Sequence, residues 1–261
     1  MQAGHAIGVD LGGTKILAGV VARNGSIVRR HERPTPQDSQ EHVLAELEAA
    51  VAELLDDSVA AIGFGAPSPI DQARGVVVRC VNLPLEDAPL RDRMHERFGV
   101  PVGLDNDANA AAIGEWRAGA GRGEDDLVML TLGTGVGGGV ISGSSPFRGR
   151  NGVGAELGHV VVVHGGRPCQ GACTGHGHLE AYVSGSAASA AAQEAFGPSA
   201  DAHRLVRLAN EGDANANELL IAVQVFRPQA AKFANTQTTG INCFEQGGVP
   251  MESSTVELGR I

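Results

Sequence analysis

The chain has 261 residues, which is enough for one large domain or two smaller lobes with a substantial core. Its formal net charge of −10 argues against nucleic acid or an anionic membrane as a main partner, because both need a basic face. No apolar run reaches the length of a membrane span, and the N-terminus lacks a signal-peptide pattern. We therefore expect a cytoplasmic protein.

The N-terminal part of the sequence predicts strands followed by a helix. Short apolar stretches predict strands at residues 6–10, 16–22 and 27–32. Apolar positions at helical spacing then predict an amphipathic helix over residues 40–56, and residues 59–64 are typical of a buried strand. This order indicates an α/β fold.

The turn between the first two strands is rich in glycine. It reads Asp10-Leu-Gly12-Gly13-Thr14-Lys15, and paired glycines let the backbone bend tightly and approach a ligand closely. We expect its amides and Lys15 to face a phosphate chain, and Asp10 to face the magnesium ion that accompanies it. A Gly-Gly pair is also typical of an ordinary hairpin turn.

Three polar residues, Asp105-Asn106-Asp107, stand where a predicted strand (100–104) meets an alanine-rich helix (108–118). The C-terminal end of a strand that leads into a helix is a common place for a site in α/β folds. An Asn or Asp there is also a good N-cap, but one residue is enough for the cap. We expect Asp107 to accept the proton of a sugar hydroxyl and Asn106 to orient hydroxyls.

A second lobe is predicted to begin near residue 127, with strands around a second glycine-rich hairpin. The hairpin starts with Gly133-Thr134-Gly135, and two phosphate loops in one acidic chain predict a nucleotide-dependent kinase. Residues 133–138 also match the dinucleotide fingerprint, but a strand instead of a helix follows, which disfavours a dehydrogenase. A valine strand after Gly158 and a long helix from residue 202 to about 223 are expected further on.

Histidines and cysteines are concentrated in the middle of this lobe. Glu156 and His159 are three residues apart, so one helical turn would place both on one face, where they could bind hydroxyls. Four residues with gaps of nine, three and four could close a tetrahedral, structural zinc site: His159, Cys169, Cys173 and His178. His164 and His176 are alternative ligands. Four cysteines in the whole chain are too few and too dispersed for a disulfide framework.

Taken together, these motifs resemble the ROK family of sugar kinases and repressors, which has the actin/hexokinase-like ATPase fold. The two glycine hairpins are similar to its phosphate motifs, and residues 106–116 to its catalytic segment. Residues 156–159 and 178–180 resemble its sugar- and zinc-binding signature. The resemblance covers about residues 5–220.

The resemblance implies two ribonuclease-H-like α/β lobes around a nucleotide and sugar cleft. We place the N-terminal lobe at residues 1–106 and the larger C-terminal lobe at 107–261. The implied reaction transfers the γ-phosphoryl group of Mg-ATP to the 6-hydroxyl of a hexose, most often glucose, with Asp107 as the base. The implied sugar-binding residues are Asn82, Asn106, Asp107, Glu156, His159 and Glu180. Homodimers and homotetramers are common in the family.

The sequence departs from the family pattern at three places. The zinc loop usually reads Cys-x-Cys with a third Cys before Leu-Glu, whereas this chain has a wider Cys169–Cys173 spacing and His178 in the last position. Ser68 stands between two prolines where glycine is usual. After about residue 222 the sequence loses convincing periodicity, so we expect a truncated or altered C-terminal part and an incomplete adenine pocket.

The sequence is also compatible with two other functions. A sugar-binding protein with weak catalysis would keep the sugar residues and phosphate loops without a working adenosine segment. A sugar-responsive repressor would need a helix-turn-helix before the first phosphate motif, and we expect none, because the motif starts at Asp10. Polyphosphate could replace ATP because it needs no adenine pocket, and the residues do not distinguish among glucose, mannose, fructose and N-acetylated hexoses.

Overall fold

The computed structural model describes residues 4–219 of the chain. The strands are β1 (His5–Leu11), β2 (Lys15–Val21), β3 (Ile27–Pro34), β4 (Val59–Ala66), β5 (Ile70–Asp71), β6 (Val76–Arg79), β7 (Glu86–Ala88), β8 (Val102–Asn106), β9 (Leu127–Leu132), β10 (Val136–Ser142) and β11 (Ser145–Pro146). The helices are α1 (Gln40–Ala52), α2 (Leu90–Phe98), α3 (Asp107–Ala118), α4 (Glu180–Val183), α5 (Gly185–Phe196) and α6 (Ala202–Asn210). The expected change after about residue 222 lies outside the described residues.

The described chain divides into two compact units. The first contains residues 4–125 and 140–155, and the second contains residues 126–139 and 156–219. The division predicted from the sequence, between residues 106 and 107, differs from these bounds. Helix α3 packs against β4 and β8 and so belongs to the first unit.

A five-stranded mixed sheet forms the centre of the first unit, in the order β3-β2-β1-β4-β8. The first three strands are an antiparallel meander, and β4 and β8 run parallel to β1 and to each other. Strand β1 alternates between the two faces, so that Ile7, Val9 and Leu11 are buried in the core. The mixed sheet with its helices confirms the predicted α/β class.

The predicted helix of the first unit is also confirmed, although it ends earlier than residue 56. Ser39 caps α1 by accepting a hydrogen bond from the His42 amide, and the helix buries Val43, Leu47 and Val51 at helical spacing. Helix α2 was not predicted, because most of its residues are charged and only Leu90 and Met94 are buried, which is too few for an apolar pattern at helical spacing. Helix α2 ends at Gly99, which has a φ of 70°.

One expectation about the second unit is wrong, and a second is only partly confirmed. Residues 160–163 form no strand, because Val161 makes only an isolated bridge with His178 and the amides of Val162 and Val163 both donate to the Gly177 carbonyl. The helix predicted over residues 202–223 is present in two pieces within the described residues, α6 and residues 214–219, with a break after Asn210. Gly212, with a φ of 91°, gives the chain a turn at that point.

The second unit has a small core of its own. Helices α5 and α6 bury Ala192, Leu205 and Ala209 against each other. A separate cluster packs Val136 of β10 against Leu179 and Val183 around α4. The unit boundary falls within β10, the middle strand of the sheet β11-β10-β9. No helix in residues 4–219 is both long enough and apolar enough to cross a membrane.

Candidate functional site

In the first unit, polar residues collect where three parallel strands end. The register pairs Asp10 of β1 with Gly65 of β4, and Gly65 with Asp105 of β8. Asp107 follows at the start of α3, and a Cβ added to Gly65 would lie 3.3 Å from the Asp107 Cα. Glycine at residue 65 therefore lets the start of α3 approach the sheet closely, beside the carboxyl end of β1.

Each residue of Asp105-Asn106-Asp107 has a different role in the structure. Asn106 is the N-cap of α3, since its side-chain oxygen accepts from the amides of Ala108 at 3.0 Å and Asn109 at 3.1 Å. The Asp105 carboxylate is buried and paired with Arg148. The Asp107 carboxylate neither caps α3 nor takes part in this ion pair.

The Asp107 carboxylate is held through one of its oxygens. Its Oδ1 accepts from the Asn106 side-chain amide at 2.9 Å and from the Ala108 backbone amide at 2.8 Å. Within residues 4–219, Oδ2 accepts no hydrogen bond. Burial raises the pKa of Asp107, and the bonds from Ala108 and Asn106 oppose that rise. A fixed carboxylate with one free oxygen and a raised pKa is suited to accept a proton.

The first glycine hairpin joins β1 to β2 through Gly12, Gly13 and Thr14. The Thr35 hydroxyl donates to the Gly12 carbonyl at 2.8 Å, and the Thr35 amide donates to the Thr14 carbonyl at 3.0 Å. The Gln37 side chain donates to the Gly13 carbonyl at 2.7 Å. With all three carbonyls held from one side, the amides of Gly13 and Thr14 have no acceptor in the described part of the chain and remain free for an anion.

The two charged residues beside this hairpin differ in their surroundings. The Asp10 side chain is solvent-accessible, yet the protein around it removes enough solvent to raise its pKa, Asp107 raises it further and Lys15 lowers it. The Lys15 ammonium pairs with Glu32 at 3.0 Å. A phosphate would therefore have to draw Lys15 from an exposed ion pair, which has a small energetic cost.

The second glycine hairpin, Gly133-Thr134-Gly135 between β9 and β10, lies in the second unit. The Gly133 carbonyl accepts from the Gly185 amide at 2.8 Å, and the Thr134 carbonyl accepts from the Ser186 amide at 3.1 Å. The amides of Thr134 and Gly135 donate to no acceptor among residues 4–219. Each hairpin thus has bound carbonyls and two free amides, the arrangement expected of phosphate loops, while the amides of Gly12 and Gly133 close the turns by donating to Lys15 and Gly135.

Glu180 contacts the second hairpin directly. Its Oε2 accepts from the Val136 amide at 2.7 Å. Glu156 is exposed immediately before a short 3₁₀ turn, Leu157–His159, so the helical turn expected for these residues is present in a tighter form. Gly158, between Glu156 and His159 in the sequence, packs against β10, where an added Cβ would lie 2.1 Å from the Val136 carbonyl oxygen.

The four predicted metal ligands converge in the second unit. One ligand atom from each of His159, Cys169, Cys173 and His178 lies within 4.8 Å of the others. The two histidine Nδ1 atoms are 3.3 Å apart, and each is 3.6 Å from one sulfur. A tetrahedral zinc ion with bonds of ~2.0–2.3 Å sets neighbouring ligand atoms about 3.3–3.8 Å apart. The donor set and its spacing therefore fit zinc.

Other histidines and cysteines stay outside this cluster. His164 and His176 are exposed and do not join it, so the alternatives left open by the sequence are not used. Burial raises the pKa of the Cys169 thiol, and its neighbours Cys173 and Glu180 act in the same direction. Cys80 is buried in the core of the first unit with a pKa raised by burial to about 11, which makes it an inert small hydrophobe.

Ser68 and the remaining sugar candidate, Asn82, lie on either side of β6 in the sequence. The Ser68 hydroxyl is buried, donates to the Pro69 carbonyl at 2.9 Å and accepts from the Arg79 amide at 3.1 Å. The serine that departs from the family pattern thus ties its turn to β6. Asn82 is exposed in the loop between β6 and β7.

Sequence reasoning missed several residues that shape these sites. Thr35 and Gln37 hold the first hairpin, Arg148 pairs with Asp105, and Gln170 bonds to the start of α5. A polar Thr-x-Gln between Pro34 and the cap of α1 was a signal for the first two. Arg148 and Gln170 act across long sequence separations, which no local pattern reveals.

Comparison with known proteins places these features in context. The model of the ROK family matches residues 6–246. The glucokinase of Thermotoga maritima is 44% identical over 184 residues, which is 69% of this chain and 57% of that protein. The glucokinase of Streptomyces coelicolor is 41% identical over 184 residues, with 70% and 57% coverage. The matched part of the chain thus spans less than three fifths of these curated relatives.

A solved structure shares the fold. The ROK family glucokinase from Streptomyces griseus, in complex with glucose and AMPPNP, is 38% identical, with a TM-score of 0.73. The alignment covers 87% of this chain and 78% of that one.

Proposed function

The chain belongs to the ROK family, and from this premise we propose that it transfers the γ-phosphoryl group of Mg-ATP to the 6-hydroxyl of a hexose, with glucose as the leading substrate. Two curated relatives named glucokinase and the glucokinase structure with glucose and AMPPNP support this proposal. The single observation that carries it is Asp107, a carboxylate fixed through one oxygen at the start of α3 with its other oxygen free.

Asp107 acts as the general base. Its free Oδ2 accepts the proton of the sugar hydroxyl as that oxygen attacks the γ-phosphorus, while Asn106 holds Oδ1 in place. The raised pKa brings the carboxylate closer to the range in which a base is effective. As the pH falls through this raised pKa the base becomes protonated, so the acidic limb of the rate profile lies above the ordinary carboxyl range.

The two hairpins bind the phosphates with their free amides. We assign phosphate binding to Gly12, Gly13 and Thr14 in the first unit and to Gly133, Thr134 and Gly135 in the second, with Lys15 exchanging Glu32 for a phosphate. The amides of Gly12 and Gly133 close their turns by donating to the carbonyls of Lys15 and Gly135, so the amides left for phosphate are those of the other four residues. Asp10 holds the magnesium ion, which neutralises the charge that develops on the phosphoryl oxygens.

We assign orientation of the sugar to the side chains that the family resemblance implies. These are Asn82, Asn106, Asp107, Glu156, His159 and Glu180. Among residues 4–219, Glu180 uses only Oε2 for a hydrogen bond, to the Val136 amide, which leaves Oε1 for a sugar hydroxyl.

A structural zinc ion is part of the same proposal. His159, Cys169, Cys173 and His178 hold it with all four positions supplied by the protein. The expected readout is one zinc per chain by metal analysis, and its loss in Cys169→Ser together with a lower melting temperature. A zinc-free native protein with the wild-type melting temperature would contradict this assignment.

The test of function is sugar-dependent release of ADP from Mg-ATP. Glucose, mannose, fructose and N-acetylated hexoses are compared, with a polyphosphate arm for the donor. Asp107→Asn should keep sugar binding and lose 10²–10⁴-fold in kcat, the usual range for a general base. Asp57→Asn, at an exposed position, is the matched control. Undiminished turnover in Asp107→Asn would exclude Asp107 as the base.

The second candidate is a sugar-binding protein with weak or absent ATP turnover. It is favoured by the lack of periodicity in the sequence after about residue 222, where the family has its adenosine segment. Sugar binding without sugar-dependent ADP release would identify it. A cytoplasmic location and a homodimer or homotetramer are part of the kinase proposal.

A further inference from the structure

Gln170 connects the loop that carries Cys169, Cys173 and His178, here called the metal-ligand loop, to the start of α5. It directly follows the ligand Cys169 and is half-buried. Its side-chain amide donates to the Ser184 hydroxyl at 2.8 Å and lies 3.4 Å from the Glu180 carbonyl oxygen. The side chain therefore points away from the cluster, toward the residues that begin α4 and α5.

Ser184 sets the first turn of α5. It is 1% exposed, and its hydroxyl accepts from the Ala187 amide at 3.0 Å as the N-cap of the helix. The same oxygen receives the bond from Gln170. A buried hydroxyl with two donors has little freedom, so displacing Gln170 should disturb the cap.

The first turn of α5 is bonded in turn to the second glycine hairpin. The Gly185 amide donates to the Gly133 carbonyl at 2.8 Å. Both the amide and the hydroxyl of Ser186 donate to the Thr134 carbonyl, at 3.1 and 2.8 Å. The helix thus fixes the direction of the hairpin carbonyls, and with them the amides that point the other way.

We infer that Gln170 is a positioning residue that transmits the order of the metal-ligand loop to the second phosphate hairpin through Ser184 and α5. Zinc binding then favours nucleotide binding because it holds Gln170 against Ser184, and by linkage nucleotide favours retention of zinc. The part that concerns nucleotide rests on the proposed function. The coupling of Gln170 to the hairpin through Ser184 and α5 is independent of the proposed function.

The matched variants are Gln170→Met and Gln193→Met. Methionine keeps the length of the side chain and removes the donor, and Gln193 is exposed on α5 with no side-chain hydrogen bond among residues 4–219. Zinc content is measured first, and we expect both variants to retain the wild-type amount, because Gln170 is not a ligand.

Amide hydrogen exchange at Gly185 and Ser186 gives the readout that does not depend on activity. In the wild type, chelation of zinc should speed exchange of these amides roughly tenfold. In zinc-loaded Gln170→Met they should already exchange at the faster rate, and chelation should change them little. Gln193→Met should behave as the wild type.

Binding of Mg-AMPPNP by calorimetry completes the experiment. Loss of one hydrogen bond predicts a Kd roughly three- to tenfold higher in zinc-loaded Gln170→Met than in the wild type. Wild-type exchange rates in Gln170→Met, or loss of zinc from it, would overturn the inference. Exchange that responds as expected in a protein that binds no nucleotide would support the coupling and refute the proposed kinase function instead.

Discussion

Arg148 donates two hydrogen bonds to one oxygen of the buried Asp105 carboxylate, from Nε at 2.8 Å and from Nη2 at 2.6 Å. The other oxygen accepts from the Asn106 amide at 2.9 Å and the Asn109 side chain at 3.3 Å. Asp105 precedes the cap and the proposed base, so this ion pair anchors the segment from which both project. It also balances a negative charge that would otherwise stand unpaired in the same segment as Asp107.

Removing the arginine should destabilise the first unit. Arg148→Met leaves a buried carboxylate without its partner, at a cost of roughly 2–4 kcal/mol, the lower end for buried pairs because 30% of the arginine side chain is exposed. Urea unfolding followed by fluorescence of Trp116, the single tryptophan, measures the change.

The double variant Arg148→Met with Asp105→Asn should recover part of this loss, because the uncompensated charge is gone. Arg74→Met, which breaks the exposed pair with Asp71, serves as the control and should cost less than about 1 kcal/mol. Equal losses in Arg148→Met and Arg74→Met would show that the Asp105 pair is no stronger than a surface contact.

We expect the ionised Asp10 carboxylate to lower the free energy of unfolding at neutral pH. Its folded-state pKa is raised by removal of solvent and by Asp107, so the folded state binds the proton more tightly than the unfolded state. The stability that this group contributes is present below the ordinary carboxyl pKa and is lost as the pH rises through the folded pKa. Asp10→Asn should therefore raise the melting temperature at pH 7.5, but only slightly, because solvent screens the charge of this exposed side chain.

The gain from Asp10→Asn should shrink as the pH is lowered toward 4, where the wild-type carboxyl also becomes neutral. Asp57→Asn, at an exposed position, should show no such trend. A gain that is independent of pH would mean that packing, and not the charge, is responsible.

Much of the first unit could be predicted because its signals are local. The alternation in β1 and the apolar spacing in α1 come from neighbouring residues, and strand ends mark where Asp10 and Asp107 lie. The position of Asp105 beside Gly65 follows from parallel register, which places the carboxyl ends of these strands at one edge. The convergence of His159, Cys169, Cys173 and His178 could be predicted because their residue types are rare and close in sequence.

The errors have a common physical cause. Valine has a high strand propensity, but residues 160–163 pair with the metal-ligand loop, and the Gly177 carbonyl takes two of their amides. Tertiary hydrogen bonds, and not strand propensity, therefore determine the conformation of residues 160–163. Thr35 and Arg148 were missed for the same reason, because each bonds to residues more than twenty positions away.

Within the second hairpin, two glycines should respond differently to an added methyl group. A Cβ on Gly135 would lie 2.5 Å from the Glu180 Oε2, whereas a Cβ on Gly133 would meet nothing within 4 Å. Gly135→Ala should displace the Glu180 carboxylate and break its bond with the Val136 amide. We expect KM for Mg-ATP and for the hexose to rise together, each by roughly tenfold or more.

Gly133→Ala is the matched control for Gly135→Ala, because it adds the same methyl group to the same hairpin. Initial rates with each substrate varied in turn separate the two KM values. If both alanine variants raise them equally, the effect comes from stiffening the hairpin and not from Glu180.

The Thr35 hydroxyl should matter more for nucleotide binding than its position outside the hairpin suggests. Thr35 is 6% exposed, and its hydroxyl is the donor that holds the Gly12 carbonyl. Thr35→Val preserves the shape and the backbone bond to Thr14 but leaves that carbonyl without this donor, which should cost about 1–2 kcal/mol of stability. The same loss of order should raise KM for Mg-ATP roughly three- to tenfold with a smaller change in kcat, while Thr35→Ser, which keeps the hydroxyl, should restore most of the affinity. Unfolding curves and initial rates measure both effects, and identical kinetics for the valine and serine variants would show that the hydroxyl does not position the hairpin.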